Sequence, residues 1–174
     1  SVTATFALNQ QLVFNSQHDG RVQSDTPTQS YGTGTGNNVL LRVRSTGPTV
    51  RSYLKFQVSG LGGAASSAKL RLFCVDASTD GGAVYSVSNN LLSTSTPWTE
   101  TALNYNNAPA VAGSPLAQIG NANLNTWIEV DVTSAITGDG TYSFAMTSGS
   151  TNVAGYNSKE STNPPQLVLN GGGG

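Results

Sequence analysis

The chain has 174 residues, a length that suits one domain with a hydrophobic core of its own. Its net charge is −1, and charged residues make up only 10% of it. This balance excludes the basic stripe that a nucleic-acid partner requires, and it argues against binding to an anionic membrane surface. Since no apolar run has transmembrane length, we also expect no membrane insertion.

An alternating segment opens the chain, and a strand is predicted over Val2–Leu8. One face of this strand carries Val2, Ala4, Phe6 and Leu8, and the other carries small or polar residues. No hairpin signal ties the strand to its successor. An open sheet edge of a neighbouring chain can accept such a strand, so we predict that residues 1–10 are an extension that acts as a donor strand. The alternative is pairing within its own sandwich.

Short apolar alternations recur along the rest of the chain, separated by Gly, Asn, Ser and Pro, and this is the pattern of an all-β sandwich or barrel. Strands are predicted over Gln11–Asn15, Gly20–Gln23, Asn38–Arg44, Arg51–Val58, Ser67–Val75, Ala83–Val87, Thr126–Thr133, Gly140–Thr147, Val153–Tyr156 and Gln166–Leu169. Turns are predicted at Asp19-Gly20, Gly62-Gly63, Asp80-Gly81-Gly82 and Gly138-Asp139-Gly140. Ser134–Ile136 is expected to form a single helical turn.

The strand over Arg51–Val58 shows the clearest period of two. It places Tyr53, Lys55 and Gln57 on one face, and Leu54, Phe56 and Val58 on the other. The four glycines at the end of the chain are typical of a flexible connector. We therefore divide the chain into the extension, a β-sandwich module over residues 11–170 and a glycine tail over residues 171–174.

Six phrases in a fixed order resemble one known family. They are Arg51–Phe56, Ala68–Phe73, Trp98–Pro109, Trp127–Thr133, Ser158–Glu160 and Pro164–Leu169. Together they resemble the DNRLRE-type (disaggregatase-related) domain, which is similar to a carbohydrate-binding-module family of jelly-roll β-sandwiches. The resemblance covers Asp19 to Leu169. It implies an all-β, jelly-roll-like antiparallel sandwich, an extracellular or cell-surface location and no catalytic role. Lys159 stands where that family usually has Arg.

Catalytic motifs are absent from the sequence. His18 is the only histidine, and the chain has neither a nucleophile elbow nor a phosphate-binding loop. A pair of carboxylates could hydrolyse a glycosidic bond. However, the resemblance assigns the four that stand in its phrases to the framework, namely Glu100, Glu129, Asp131 and Glu160. We predict that the protein is not an enzyme.

Carbohydrate binding usually requires exposed aromatic rings beside polar groups. Trp98 and Trp127 are expected to pack in the core or at the sandwich edge, because each stands beside framework residues. The candidate ligand-binding residues are therefore Tyr31, Tyr85, Tyr105 and Tyr156, which the sequence does not place on one surface.

Two other candidate sites involve Asp76, Asp80 and Cys74. Asp76 and Asp80 stand in the first half of a calcium-loop pattern, but Val87 occupies the twelfth position, where a bidentate Glu is required. Calcium is thus one alternative and a polar turn the other, and no cofactor is otherwise indicated. Cys74, the only cysteine, lies in an apolar run and is expected to be a buried core residue.

These observations favour a non-catalytic structural module. Our leading hypothesis is a subunit or tandem repeat of a surface filament, in which copies of the chain join head to tail through the N-terminal strand. Such a contact does not close on itself and therefore propagates. The alternative is a carbohydrate-binding module with a polysaccharide as its partner, and a third hypothesis is an adhesin domain.

Overall fold

The computed structural model describes residues 11–171, which form eleven strands and two short 3-10 helices. The strands are β1 (Gln11–Asn15), β2 (His18–Gln23), β3 (Leu41–Val43), β4 (Val50–Val58), β5 (Ala65–Asp76), β6 (Gly82–Val87), β7 (Ala117–Ile119), β8 (Trp127–Asp131), β9 (Gly140–Thr147), β10 (Ala154–Tyr156) and β11 (Gln166–Gly171). The 3-10 helices cover Gly36–Asn38 and Thr133–Ala135. None of the helices described is long and apolar enough to cross a membrane.

Two antiparallel sheets pack face to face. The first sheet has six strands in the order β1-β11-β5-β10-β3, with β8 paired to the other side of β5. The second sheet has five strands in the order β2-β4-β9-β6-β7. This architecture confirms the predicted all-β antiparallel sandwich. The proposed division at residues 10 and 171 stays a prediction, because the donor-strand residues Val2, Ala4, Phe6 and Leu8 lie outside the described residues.

The main core fills the space between the sheets. From β4 it receives Leu54 and Phe56, and from β5 it receives Leu70, Leu72 and Cys74, all of them fully buried. Burying a large aliphatic or aromatic side chain contributes roughly 1.5–3 kcal/mol before entropy is subtracted. The period of two in β4 is thus confirmed, and Cys74 is the core residue that the sequence predicts.

A second hydrophobic cluster lies on the outer side of the second sheet. Residues 88–116, which we call the covering segment, bring Trp98 and Leu103 onto Tyr53 of β4. Trp98 is fully buried, and its indole Nε1–H donates to Ser143 Oγ at 3.1 Å. The buried Lys55 ammonium donates to the carbonyls of Asn89 and Trp98. The middle of the outward face of β4, at Tyr53 and Lys55, is therefore buried like its inward face, whereas Gln57 at the end of the strand is exposed.

The predicted turn at Asp19-Gly20 is wrong, since both residues lie inside β2. Gly20 lies where two chain segments approach closely, since a Cβ at this position would lie 3.3 Å from Gly32 Cα. The Asp19 carboxylate accepts a hydrogen bond from Ser16 Oγ at 2.7 Å. Strand β7 was not predicted, because its three residues are too few to show a period.

Candidate functional site

The outer face of the first sheet is open to solvent along β1, β11, β5 and β8. On β5, the side chains of Lys69, Arg71 and Phe73 are partly exposed, whereas the residues between them are buried. The same alternation holds on β11, and the outward residues of β1 are exposed. We call this surface the open face.

The strand register aligns the open-face residues in rows across the strands. One row consists of Asn15, Gln166, Arg71 and Glu129, and the next consists of Val13, Val168, Lys69 and Asp131. A third row, on the other side of the first, pairs Phe73 with Trp127. Residues opposite one another on neighbouring strands are close enough for their side chains to interact.

An aromatic pair and an arginine lie side by side on β5 and β8, at one edge of the open face. The rings of Phe73 and Trp127 meet edge to face, with centroids 5.4 Å apart. The Arg71 guanidinium lies 4.4 Å from the Trp127 ring centroid, within range of a cation–π interaction. Arg71 also donates to Gln166 Oε1 at 2.9 Å and lies 2.8 Å from a Glu129 carboxylate oxygen. These contacts hold the guanidinium in one orientation beside the indole.

Charges on the open face are balanced within the sheet. Arg71 pairs with Glu129, and Lys69 pairs with Asp131 at 3.5 Å. The Glu129 and Asp131 side chains are 54% and 64% exposed, so solvent weakens both pairs and each contributes little to stability. The face thus offers polar groups without a net charge. Aromatic rings, amides and a guanidinium together can stack on the apolar side of a sugar ring and bond to its hydroxyl groups.

The four tyrosines predicted as ligand-binding residues do not share a surface. Tyr156 is fully buried in the core and donates to the Gly81 carbonyl, and Tyr31 is buried under the Arg21 guanidinium. Neither ring can contact a ligand that binds on the surface. Tyr85 lies on β6, and Tyr105 lies in the covering segment with its ring 4.8 Å from the Arg51 guanidinium. Both are partly exposed, on the side of the second sheet.

Three carboxylates meet where β2 approaches the covering segment. Asp19, Glu100 and Glu160 each place an oxygen within 4.8 Å of the others. The Lys159 ammonium lies 3.0 Å from a Glu100 oxygen and 3.4 Å from a Glu160 oxygen, and these contacts raise the pKa of Lys159. Burial raises the pKa of Asp19 to about 7, although Ser16 and the Lys159 amide donate to its carboxylate. Lys159 therefore supplies a positive charge to the carboxylates, and these contacts join β2, the covering segment and the segment before β11.

The predicted calcium residues have different surroundings. Asp80 accepts hydrogen bonds from the Gly82 amide at 3.0 Å and from the Gly149 amide at 2.9 Å. Asp76 is exposed at the end of β5. Within residues 11–171, the acidic side chains that cluster in a group of three do not include these two. The Asp80 carboxylate thus stabilises the turn before β6, and calcium binding there stays a prediction.

Trp127 is the candidate binding residue on the open face that sequence reasoning missed. The position of Trp127 at the start of an apolar strand suggested that its ring packs in the core. No local feature of the sequence indicates that the ring stays partly exposed when β8 pairs with β5. One signal was available: alternate positions of β5 and β8 carry Lys69, Arg71, Glu129 and Asp131, which indicates a polar outer face. The register that brings these residues beside Phe73 required the structure.

Comparison with known proteins bears on the function of this surface. Residues 10–171 match the model of carbohydrate-binding module family 96. The match includes both sheets and the covering segment, and it confirms the resemblance to a carbohydrate-binding family; it does not name the DNRLRE-type domain. Modules of such families are typically non-catalytic binding domains. A search of curated proteins found no match.

Proposed function

The chain belongs to carbohydrate-binding module family 96, and we propose that it binds a polysaccharide on the open face without cleaving it. The observation that carries this proposal is the partly exposed Phe73–Trp127 pair, which lies beside the ordered guanidinium of Arg71. A module of this kind suits an extracellular or cell-surface protein, and we propose that location as well.

The shape of the open face suits an extended chain of sugar rings. Neighbouring strands are about 4.8 Å apart, so the four strands span roughly 14 Å, and successive rows along a strand are about 6.7 Å apart. In this arrangement Trp127 and Phe73 offer apolar surface for stacking. The amides of Gln166 and Asn15 and the guanidinium of Arg71 offer hydrogen bonds in the next row.

The test is affinity electrophoresis in gels that contain neutral or acidic polysaccharides, one polymer in each gel. We expect the wild-type protein to be retarded by at least one of them. Trp127→Ala should weaken that binding at least about tenfold, which corresponds to about 1.4 kcal/mol. Tyr105→Ala is the matched control, because Tyr105 is a partly exposed ring on the other side of the sandwich.

Two results would contradict the proposal. If Trp127→Ala were retarded as strongly as the wild-type protein while Tyr105→Ala was not, the binding surface would lie beside the covering segment. If the wild-type protein migrated unchanged in a broad panel of polysaccharides, carbohydrate binding itself would be in conflict with the measurement.

We also propose a second candidate function, the joining of copies of the chain into a filament. The observation that favours it is the place of β1, which stands at the end of the strand order of the first sheet and directly follows the predicted donor strand. Val13 of β1 is 51% exposed. A strand from another copy that added to such an edge would form main-chain hydrogen bonds and cover apolar surface.

Negative-stain electron microscopy tests the filament proposal. The intact chain should form regular fibres, and deletion of residues 1–8 should give separate particles, because the donated strand is then missing. Dispersed particles of the intact chain at high concentration would contradict it and would leave polysaccharide binding unaffected.

A further inference from the structure

Arg71 has a carboxylate partner on the strand at the edge of the open face. Among the strands of residues 11–171, β8 pairs only with β5, and this pairing places Glu129 directly opposite Arg71. A Glu129 carboxylate oxygen lies 2.8 Å from Arg71 Nε, although 54% of the Glu129 side chain is exposed. The carboxylate that neutralises the guanidinium therefore lies at the rim of the sheet, in contact with solvent.

The two acidic side chains of β8 are held differently. Asp131 accepts a hydrogen bond from the Thr133 amide at 2.8 Å, and the hydroxyl and amide of Thr133 lower the pKa of Asp131. The turn that follows β8 thus fixes the Asp131 carboxylate. In contrast, the Glu129 side chain forms no hydrogen bond with any part of residues 11–171, and Arg71 is its only charged partner there. Glu129 can therefore leave the guanidinium by a change of rotamer alone.

The Arg71 guanidinium keeps two other contacts when Glu129 moves away. Arg71 Nη1 donates to Gln166 Oε1 at 2.9 Å, and the guanidinium carbon lies 4.4 Å from the Trp127 ring centroid. The Nε side of the guanidinium is the side that faces Glu129. Since the planar guanidinium matches a carboxylate in geometry, a ligand carboxylate can take the position that Glu129 occupies. This position lies beside an aromatic ring on which a sugar can stack.

We propose that Glu129 is a specificity-determining residue of the open face, a counter-ion that a ligand carboxylate must displace from Arg71. A neutral sugar chain can bind while the Arg71–Glu129 pair stays intact. An acidic chain gains Arg71 only when that pair breaks, and the Glu129 charge repels it at short range. Glu129 thereby lowers the preference of the face for acidic over neutral chains. The inference rests on the proposed function, because it concerns the ligand that Trp127 binds.

Affinity electrophoresis with matched polymers tests the role of Glu129. The probes are polygalacturonate, alginate and hyaluronate, each beside the methyl ester of the same polymer, whose carboxyl groups carry no charge. The quantity measured is the ratio of the two affinities, acidic polymer over ester. Where an ester is not retained, the affinity for the acidic polymer is compared directly. Glu129→Gln should raise the ratio roughly two- to fivefold, because the competing ion pair is exposed and weak. The gain should shrink as salt is added, since exposed charges are screened.

Two controls separate this role from a general effect of net charge. Asp25→Asn removes the same charge from an exposed position that follows β2 of the second sheet, so it should change the ratio by less than about twofold. Arg71→Ala/Glu129→Gln is compared with Arg71→Ala. This difference should also be less than about twofold, because the guanidinium for which Glu129 and the ligand compete is then missing.

Three results would overturn the inference alone. Glu129→Gln could leave the ratio unchanged, Asp25→Asn could raise it as much, or the gain could persist in the Arg71→Ala background. In each case, wild-type retardation that is lost in Trp127→Ala would still support polysaccharide binding on the open face. If neither the wild type nor Glu129→Gln is retarded by any acidic polymer or ester, the proposed function and the inference fail together.

Discussion

The outer faces of the two sheets have opposite surroundings. On the second sheet, the covering segment buries two outward residues of β4, Tyr53 and Lys55, which are 0% and 3% exposed. On the first sheet, Arg71 and Trp127 point outward in the same alternating pattern and remain partly exposed. The same alternation along a strand thus leaves outward side chains buried on one sheet and partly exposed on the other.

The difference determines what the polar groups on each face can do. On the covered face, Tyr53 Oη donates to the Pro109 carbonyl at 2.9 Å and the Trp98 indole donates to Ser143, because a buried donor without a partner is costly. On the open face, Arg71 and Glu129 form an ion pair across strands in contact with solvent, so a ligand can compete with Glu129 for the guanidinium. For this reason we assign ligand binding to the open face.

The largest effect that follows from this comparison is on stability. Trp98→Ala should lower the free energy of unfolding by about 3–5 kcal/mol, since it removes a fully buried indole from the second cluster. Trp127→Ala removes the same side chain from the open face and should cost clearly less. Urea denaturation of both variants, compared with the wild type, provides the measurement. Equal losses would show that Trp127 is as important for packing as Trp98 and would weaken its assignment as a binding residue.

The inner half of the fold was predictable from the sequence. Leu54, Phe56 and Val58 alternate with polar residues over a long strand, and such a run has one stable orientation in a sandwich. Strand β9 occupies the predicted residues, Gly140–Thr147. In contrast, burial of Tyr53 and Lys55 could not be predicted, because it depends on the covering segment, whose residues have no regular period.

The proposed binding surface was less predictable than the fold. Sequence reasoning chose tyrosines as ligand-binding residues. Tyr156, however, is a core residue, and its hydroxyl donates to the Gly81 carbonyl within the fold. Trp127 was assigned to packing, although the register places it beside Phe73 and Arg71 on the open face. Exposure of one aromatic ring depends on which strand pairs with which, and this information is not local in the sequence.

A smaller effect concerns pH and the carboxylate group beside the covering segment. An ordinary aspartate ionises near pH 3.8, whereas burial keeps Asp19 protonated in the folded protein until about pH 7. The folded state therefore binds more protons than the unfolded state in this range, and the contribution of Asp19 to stability falls as the pH rises from about 4 to 7. Asp19→Asn cannot ionise and should avoid this loss, on the order of 4 kcal/mol at pH 8.

The measurement is the melting temperature of the wild type and of Asp19→Asn between pH 4 and pH 8. Burial lowers the pKa of His18, which acts in the opposite direction, so the difference between the two proteins isolates the contribution of Asp19. Asp25→Asn is the control, because this carboxylate is exposed. A constant difference between wild type and Asp19→Asn across the range would show that Asp19 ionises as an ordinary aspartate.

The smallest expected effect on stability comes from Arg71→Lys, which tests the open face most directly. The Arg71 side chain is 28% exposed and its ion pair is in contact with solvent, so the substitution should change the free energy of unfolding by less than about 1 kcal/mol. An ammonium cannot contact Gln166, Glu129 and the indole at the same time, as the planar guanidinium does. Retardation in the polysaccharide gel should therefore weaken several-fold, although the protein remains folded.

Arg51→Lys is the matched control for this experiment. Arg51 stacks on Tyr105 much as Arg71 stacks on Trp127, but it lies beside the covering segment. If polysaccharide binding depends on the open face, Arg51→Lys should bind as the wild type does. If Arg51→Lys weakens binding and Arg71→Lys does not, the ligand binds where Tyr105 meets the second sheet. The covering segment would then be part of the binding site, and the open face would need another explanation for its ordered guanidinium.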